Sequence, residues 1–232
     1  LTKVVGIDEL TTPHDFGGSL STGHPLWVSD THFFMLDRAA REIQLWNRDG
    51  QLLSTLDVPT SVHHIFQPPA STMGVHEDNV FYAVIEGNQQ EQVSPGVLRF
   101  HIKHNNLIQT AQVDLHSYDP LNLDITKMGA HHADFHPNGE TIYIGSAEGH
   151  VFVINKNSMD IEAMVEAGTG AGHTTFLPMR NQAIITNHNS TFVTVIDTDT
   201  HQFIQNVDVA DSASPDYKSQ AHTSGVSRDR SE

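Results

Sequence analysis

The sequence contains no cysteine, so disulfide bonds and thiolate metal ligands are excluded. It has no run of 18 or more apolar residues, the length that a membrane-spanning helix requires, so we expect no membrane insertion. Common catalytic and nucleotide-binding motifs are missing too: there is no G-x-S-x-G, P-loop, H-E-x-x-H or C-x-x-C-H. With no recognisable catalytic residues, the sequence favours a protein that is not an enzyme.

Basic residues are scarce. The chain has 12 Lys and Arg against 28 Asp and Glu, a formal net charge of −16, and its 17 histidines outnumber the basic residues. Such a charge repels the phosphate backbone of nucleic acids and attracts cations or basic partners. We therefore expect no nucleic-acid partner and consider a divalent metal ion a natural one. The alternative is that the charge serves solubility alone.

The start of the chain bears on its location. It opens on Leu1 without an initiator methionine and without a basic segment followed by an apolar one. The lack of cysteine leaves the redox compartment undecided. We expect a mature, exported chain that has lost its signal peptide, located in the periplasm or secreted.

Histidine recurs at one position of a repeated segment. In five segments it stands three residues before an aromatic residue or a glycine, and these histidines are His24, His63, His132, His173 and His222. The segments that begin at Trp27, Phe135 and Phe176 align over ten residues without a gap. Such a repeat is typical of one supersecondary unit stacked on copies of itself. The histidine would then occupy the same structural position in every unit.

Each of the first four histidine motifs is followed by three β-rich runs separated by turn residues, and no stretch has a convincing helical period. Four short strands repeated at about 40 residues predict an all-β fold, a β-propeller of four-stranded antiparallel blades. The blades would form one domain over 1–232 and cover 24–58, 62–115, 131–167, 172–209 and 221–232. Because the last unit stops after one strand, we expect the chain to be part of a longer propeller of about seven or eight blades.

The first strand of a propeller blade lines the central channel, so the repeated histidines are expected to converge there. Neutral imidazoles from several blades suit zinc, copper or nickel. Without cysteine, zinc or Cu(II) is favoured over Cu(I), and we expect zinc, with copper as the alternative.

Further ligand candidates follow from strand geometry. Adjacent residues of a strand point to opposite faces, so if His132 faces the channel, Asp134 does too and His131 points away. Asp134 is then a candidate metal ligand or acceptor for an imidazole N–H. The remaining candidates are His64, beside a Pro-rich loop, and His188, which a turn places near His173 on the neighbouring strand.

Five segments resemble the repeats of known propeller families. The runs 139–146 and 192–202 resemble YVTN and cytochrome d1-type propeller repeats, in which a strand ending in V-I-D-x-x-T leads into the fourth strand. The segments 129–135, 170–176 and 219–225 are more narrowly similar to periplasmic zinc metallochaperones of the AztD type. That resemblance implies a zinc-binding protein that serves the solute-binding protein of a zinc ABC transporter.

Two other classes of function stay open. One is a propeller enzyme that holds copper or a d1-type haem, as reductases do, or a divalent ion, as lactonase-like propellers do. The other is an interaction scaffold, in which the repeated histidines are hydrogen-bonding struts between blades. Metal content separates the scaffold from the rest, and a visible absorption band separates haem or copper from colourless zinc.

Overall fold

β-strands make up almost all of the part of the chain that the structure describes. The computed structural model describes residues 31–68, 79–118, 129–209, 221 and 224–225. The strands are β1 (His32–Asp37), β2 (Glu42–Asn47), β3 (Leu52–Asp57), β4 (Val62–Phe66), β5 (Val80–Ile85), β6 (Gly96–Lys103), β7 (Asn106–Asp114), β8 (Ala130–Phe135), β9 (Thr141–Ser146), β10 (His150–Asn155), β11 (Ile161–Glu166), β12 (Ala171–Leu177), β13 (Gln182–Asn187), β14 (Phe192–Asp197) and β15 (Gln202–Asp208). Short 3-10 helices span Leu115–Ser117 and Pro178–Arg180. No helix among these residues is long and apolar enough to cross a membrane.

The strands form antiparallel meanders. One sheet has three strands, β1–β3, and three sheets have four, namely β4–β7, β8–β11 and β12–β15. We call them blades 1 to 4. The β-rich runs predicted from the sequence coincide with these strands to within two residues at either end, and the four-stranded antiparallel blade is confirmed. His24 and the predicted first strand of blade 1 lie outside the described residues, as does His222.

The middle strands of each blade are buried on both faces. Along β5, Phe81 and Ala83 pack with Phe34 of blade 1, whereas Tyr82 and Val84 pack into the core shared with blade 3. Successive side chains of a strand point to opposite faces, so alternate residues enter alternate interfaces. This explains why the middle strands are nearly continuous apolar runs: each one contributes to two cores.

Turns between the third and fourth strands are closed by side chains. Asn47, Asn155 and Asp197 each accept hydrogen bonds from backbone amides two to four residues further along the chain. Asn and Asp favour turns because their short side chains can make this local bond. These bonds hold the outer two strands of blades 1, 3 and 4 together as hairpins.

The innermost strands lie side by side. β8 contacts β4 of blade 2 on one side and β12 of blade 4 on the other. These are the three described strands that carry the repeated histidines. The packing of blades therefore brings residues about 40 or more positions apart in sequence to one place.

Candidate metal centre

Each of the three innermost strands that the structure describes carries a β-bulge at its histidines. In blade 3, Ala130 pairs with Ser146 and Ala133 pairs with Ile144, so the two residues between them, His131 and His132, lie opposite the single residue Gly145. A bulge of this kind adds one residue to a strand and breaks its regular alternation.

The same irregularity occurs in the neighbouring blades. In blade 2 it falls between Val62 and Ile65, and in blade 4 between Ala171 and Thr174. The doubled positions are His63-His64, His131-His132 and Gly172-His173. Three blades thus present two consecutive residues each at the same level of the fold.

One set of imidazoles, the first row, crosses the blades at the first bulge position. It contains His63 and His131, whose ring centroids are 4.3 Å apart. In blade 4 this position is Gly172, and the imidazole beside it comes from His188, just after β13, with its ring centroid 4.8 Å from that of His131. The first row is therefore His63, His131 and His188.

The second row lies at the second bulge position and consists of His64, His132 and His173. The His64 and His132 ring centroids are 5.0 Å apart, and the rings of His132 and His173 stack at 3.5 Å with an angle of 27°. Stacked rings direct their in-plane lone pairs along parallel planes. In this arrangement His132 and His173 would not both bind one ion, so the two belong to different ligand sets or one ring turns on binding.

Three histidines have geometry suited to a common metal ion. One nitrogen each of His63, His131 and His132 lies within 4.8 Å of the others. Around a tetrahedral zinc with Zn–N distances of about 2.0–2.1 Å, ligand nitrogens are about 3.3–3.4 Å apart. Small side-chain rotations would close this difference. The group spans blades 2 and 3 and combines both rows.

His64 is held by the neighbouring blade in a tautomer suited to metal binding. Its Nε2 lies 3.2 Å from the carbonyl oxygen of Ala133, which can only accept, so Nε2 carries the proton. In the neutral ring Nδ1 then carries the lone pair. This Nδ1 lies 3.4 Å from Nδ1 of His63, close to the separation of two nitrogens on one zinc.

The electrostatics of the cluster favour uncharged imidazole. His132 is 4% exposed, and burial is the main cause that lowers its pKa, followed by the closeness of His173. His64, His131 and His63 act in the same direction. A neutral imidazole is the form that binds a metal, so His132 is ready to bind at neutral pH without first losing a proton.

Asp134 lies on β8 beside the cluster and ties two blades together. Its Oδ2 accepts a hydrogen bond of 2.9 Å from the backbone amide of Thr174. Burial raises the pKa of Asp134, and the hydrogen bond from Thr174 partly offsets the rise. Next to Thr174, the amide of His173 donates to Thr186 Oγ1 at 3.1 Å, which fixes the backbone of the bulge.

Two expectations about this region are wrong. His131 was expected to point away from His132, but their ring centroids are 4.3 Å apart and both rings contact His63. The bulge removes the alternation on which that expectation depended. The core packing reflects the extra residue: Ala130 and Ala133 are three residues apart, yet both enter the same core.

The second correction concerns equivalence between blades. The spacing to the next aromatic residue aligned His63 with His132 and His173. The strand register instead aligns His64 with them, because His64 immediately precedes Ile65, the residue at which regular pairing resumes. His63 is the counterpart of His131.

The structure brings together most of the residues selected from the sequence. His63, His64, His132, His173 and His188 belong to one cluster, to which His131 is added. Asp134 lies next to it, bonded to Thr174. His24 and His222 are outside the described residues, although Ser224 lies against β12, where its backbone oxygen accepts from Thr175 Oγ1.

Solved structures of similar shape identify the architecture. A protein assigned as a 6-phosphogluconolactonase from Bacteroides uniformis matches with a TM-score of 0.60 and 13% identity over 81% of this chain and 55% of its own. The β-propeller domain of Cps50 (Swd1) from Myceliophteria thermophila matches with a TM-score of 0.51 and 11% identity over 72% of this chain and 48% of its own. The fold is a β-propeller.

The comparisons say little beyond the fold. The chain spans about half the length of the two propellers it matches. At 11% and 13% identity, their activities do not carry over to this chain. No protein-family model and no curated protein sequence matches it.

Proposed function

We propose that this β-propeller binds zinc through His63, His131 and His132 and carries the ion to a partner, as a periplasmic zinc chaperone that serves the solute-binding protein of a zinc ABC transporter. The observation that carries the proposal is the convergence of imidazoles from adjacent blades, with three donor nitrogens within 4.8 Å of one another. Struts between blades need one hydrogen bond each and would not require rings in mutual contact.

The type of ligand supports zinc. Nitrogen donors without thiolates or a set of carboxylates suit zinc or Cu(II) better than calcium or magnesium, which prefer oxygen. The chain also carries a formal charge of −16, which attracts cations to its surface. The expectation of zinc from the sequence is therefore kept, with copper as the alternative metal.

The surroundings of the cluster favour transport over catalysis. A catalytic zinc needs an open ligand position beside a general base. Asp134 is the carboxylate on the innermost strand of blade 3, and it already accepts the Thr174 amide. Histidines in both rows offer alternative ligands instead, and ligand exchange of that kind allows an ion to be handed over stepwise.

Zinc titration of purified, metal-stripped protein tests the binding. We expect a dissociation constant below about 1 µM. Tight binding should be lost in a variant with alanine at His63, His131 and His132, because the other residues that the structure describes form no comparable group. The double variant His132→Ala/His173→Ala should lose the tight site as well. His104→Asn is the matched control, since His104 is exposed in a turn, at a φ of 51° that Asn tolerates. Unchanged affinity in the triple variant would refute the site.

Transfer kinetics test the carrier role. Zinc should pass to a solute-binding partner faster than it dissociates into a chelator, because contact with the partner supplies the incoming ligand. Equal rates would make the protein a passive buffer. Turnover of a lactone or an N-oxide would support the enzyme alternative instead, and a visible absorption band in protein as purified would indicate copper or haem.

A further inference from the structure

Blade 4 departs from blades 2 and 3 at two positions that compensate each other. The first bulge position is histidine in blades 2 and 3, as His63 and His131, but glycine in blade 4, as Gly172. The position after the second strand holds Glu86 in blade 2 and Ala147 in blade 3, but His188 in blade 4. The three are equivalent because each amide donates to the residue just before the innermost strand.

The two departures meet in space. A Cβ atom added to Gly172 would lie 2.6 Å from Nε2 of His188, 3.0 Å from its Cε1 and 3.2 Å from its Cδ2. The imidazole of His188 therefore packs against Gly172 and occupies the space that a side chain at position 172 would fill. Gly172 is not among the residues of positive φ, so its backbone conformation does not itself demand glycine. The close approach of His188 is the reason for glycine at this position.

We propose, on the basis of the proposed zinc site, that Gly172 is a positioning residue that admits His188 to the first row, where His188 is a further metal ligand from blade 4. The ring of His188 approaches that of His131 with centroids 4.8 Å apart. Blade 4 thus supplies its first-row imidazole from the turn after β13 and not from its innermost strand. Zinc is usually four-coordinate in proteins, and His188 would add a fourth imidazole to the group of three.

The variant Gly172→Ala tests this assignment. The added methyl group would displace the far end of a flexible side chain, so we expect the blade to fold while His188 turns away. Zinc affinity should fall by about 10- to 100-fold, the loss typical when the support of a metal ligand is removed. The Co(II) spectrum should change as well, because one nitrogen ligand is lost. Circular dichroism and the melting temperature check that the fold is kept.

A double-variant cycle separates positioning from general damage. His188→Ala should weaken zinc binding to a similar extent, and Gly172→Ala should add little to it, because both changes remove the same ligand. Gly129→Ala is the matched control: its Cβ would lie 3.8 Å from Ala147 Cβ and 3.8 Å from the Glu86 oxygen, both ordinary contacts. It should bind zinc like the parent.

The outcomes distinguish this inference from the function on which it rests. If the parent binds no zinc, both fail. If the parent binds tightly and Gly172→Ala matches it in affinity and Co(II) spectrum, the role of Gly172 is refuted while the proposed function stands. Additive losses in the double variant would also refute it, because Gly172 would then act independently of His188.

Discussion

The middle strands and the innermost strands of the same blades differ in backbone regularity, and the difference matches what each of them does. Along β9 and β10, regular alternation sends apolar side chains such as Tyr143 and Phe152 into the cores on either side. Along β8, a bulge breaks the alternation, so that the side chains of two consecutive histidines enter the same cluster. Regular strands hold the blades together, and the irregularity next to them creates the site.

Because of this difference, substitutions that affect folding and substitutions that affect metal binding should fall on different strands. A middle-strand residue belongs to a core between two blades, so changing it affects stability. A bulge residue lies next to the core without filling it, so changing it affects metal binding. Variants in the two kinds of strand test how complete that separation is.

The largest expected effect is on stability, in a middle strand. Phe152 is fully buried in the core between blades 2 and 3, and Phe152→Ala should cost about 3–5 kcal/mol of folding free energy through lost burial and the cavity left behind. Zinc affinity, measured at a temperature where the variant is folded, should stay within about threefold of the parent.

The same substitution on the outer strand provides the control. Phe203 on β15 is 49% exposed, so Phe203→Ala should change stability by no more than about 0.5 kcal/mol. Urea unfolding of both variants measures the contrast. A loss of zinc binding in folded Phe152→Ala would mean that the cores and the bulges are coupled.

The sequence predicted the fold well because the middle strands follow simple rules. Apolar runs and Asx turns such as those at Asn155 and Asp197 depend on residues close in the chain. The site was harder to predict, because the bulges in β8 and β12 depend on how these strands pair with β9 and β13. His131 was missed for this reason, and the register of His63 was misjudged.

His188 was selected from the sequence, but the reason it fits its place could not be predicted. It was selected from a predicted turn that places it near His173. The space that admits it, however, depends on Gly172 on another strand, and no local pattern in the sequence indicates that contact.

An intermediate effect is expected from pH, in the innermost strands. The pKa of His132 is lowered in the folded protein, mainly by burial, from the ordinary value of 6.5. As pH falls below that value, the unfolded chain takes up the proton while the folded chain does not. Metal-free protein should therefore be most stable above about pH 6.5. Below that pH, His132 should lower the free energy of unfolding by at most about 1.4 kcal/mol for each pH unit.

The dependence of stability on pH can be assigned to His132 by comparing variants. Burial also lowers the pKa of His150 and His201, which add to the slope in the same direction. Thermal unfolding between pH 7 and pH 5 should show a smaller dependence of stability on pH in His132→Ala than in the parent. An equal dependence in the two proteins would show that His132 takes up its proton in the folded state.

The smallest expected effect concerns Asp134, at the border between the two regions. Its Oδ2 accepts the Thr174 amide across the contact between blades 3 and 4. In Asp134→Asn, the side-chain oxygen can still accept that bond, so we expect stability to change by less than about 1 kcal/mol. Because this carboxylate is already occupied by the backbone of blade 4, zinc affinity should change by no more than about threefold. Isothermal titration calorimetry of the parent and the variant measures the two zinc affinities under the same conditions. A loss of tenfold or more would instead make Asp134 a metal ligand or the acceptor for an imidazole N–H, the role that its position on the strand first suggested.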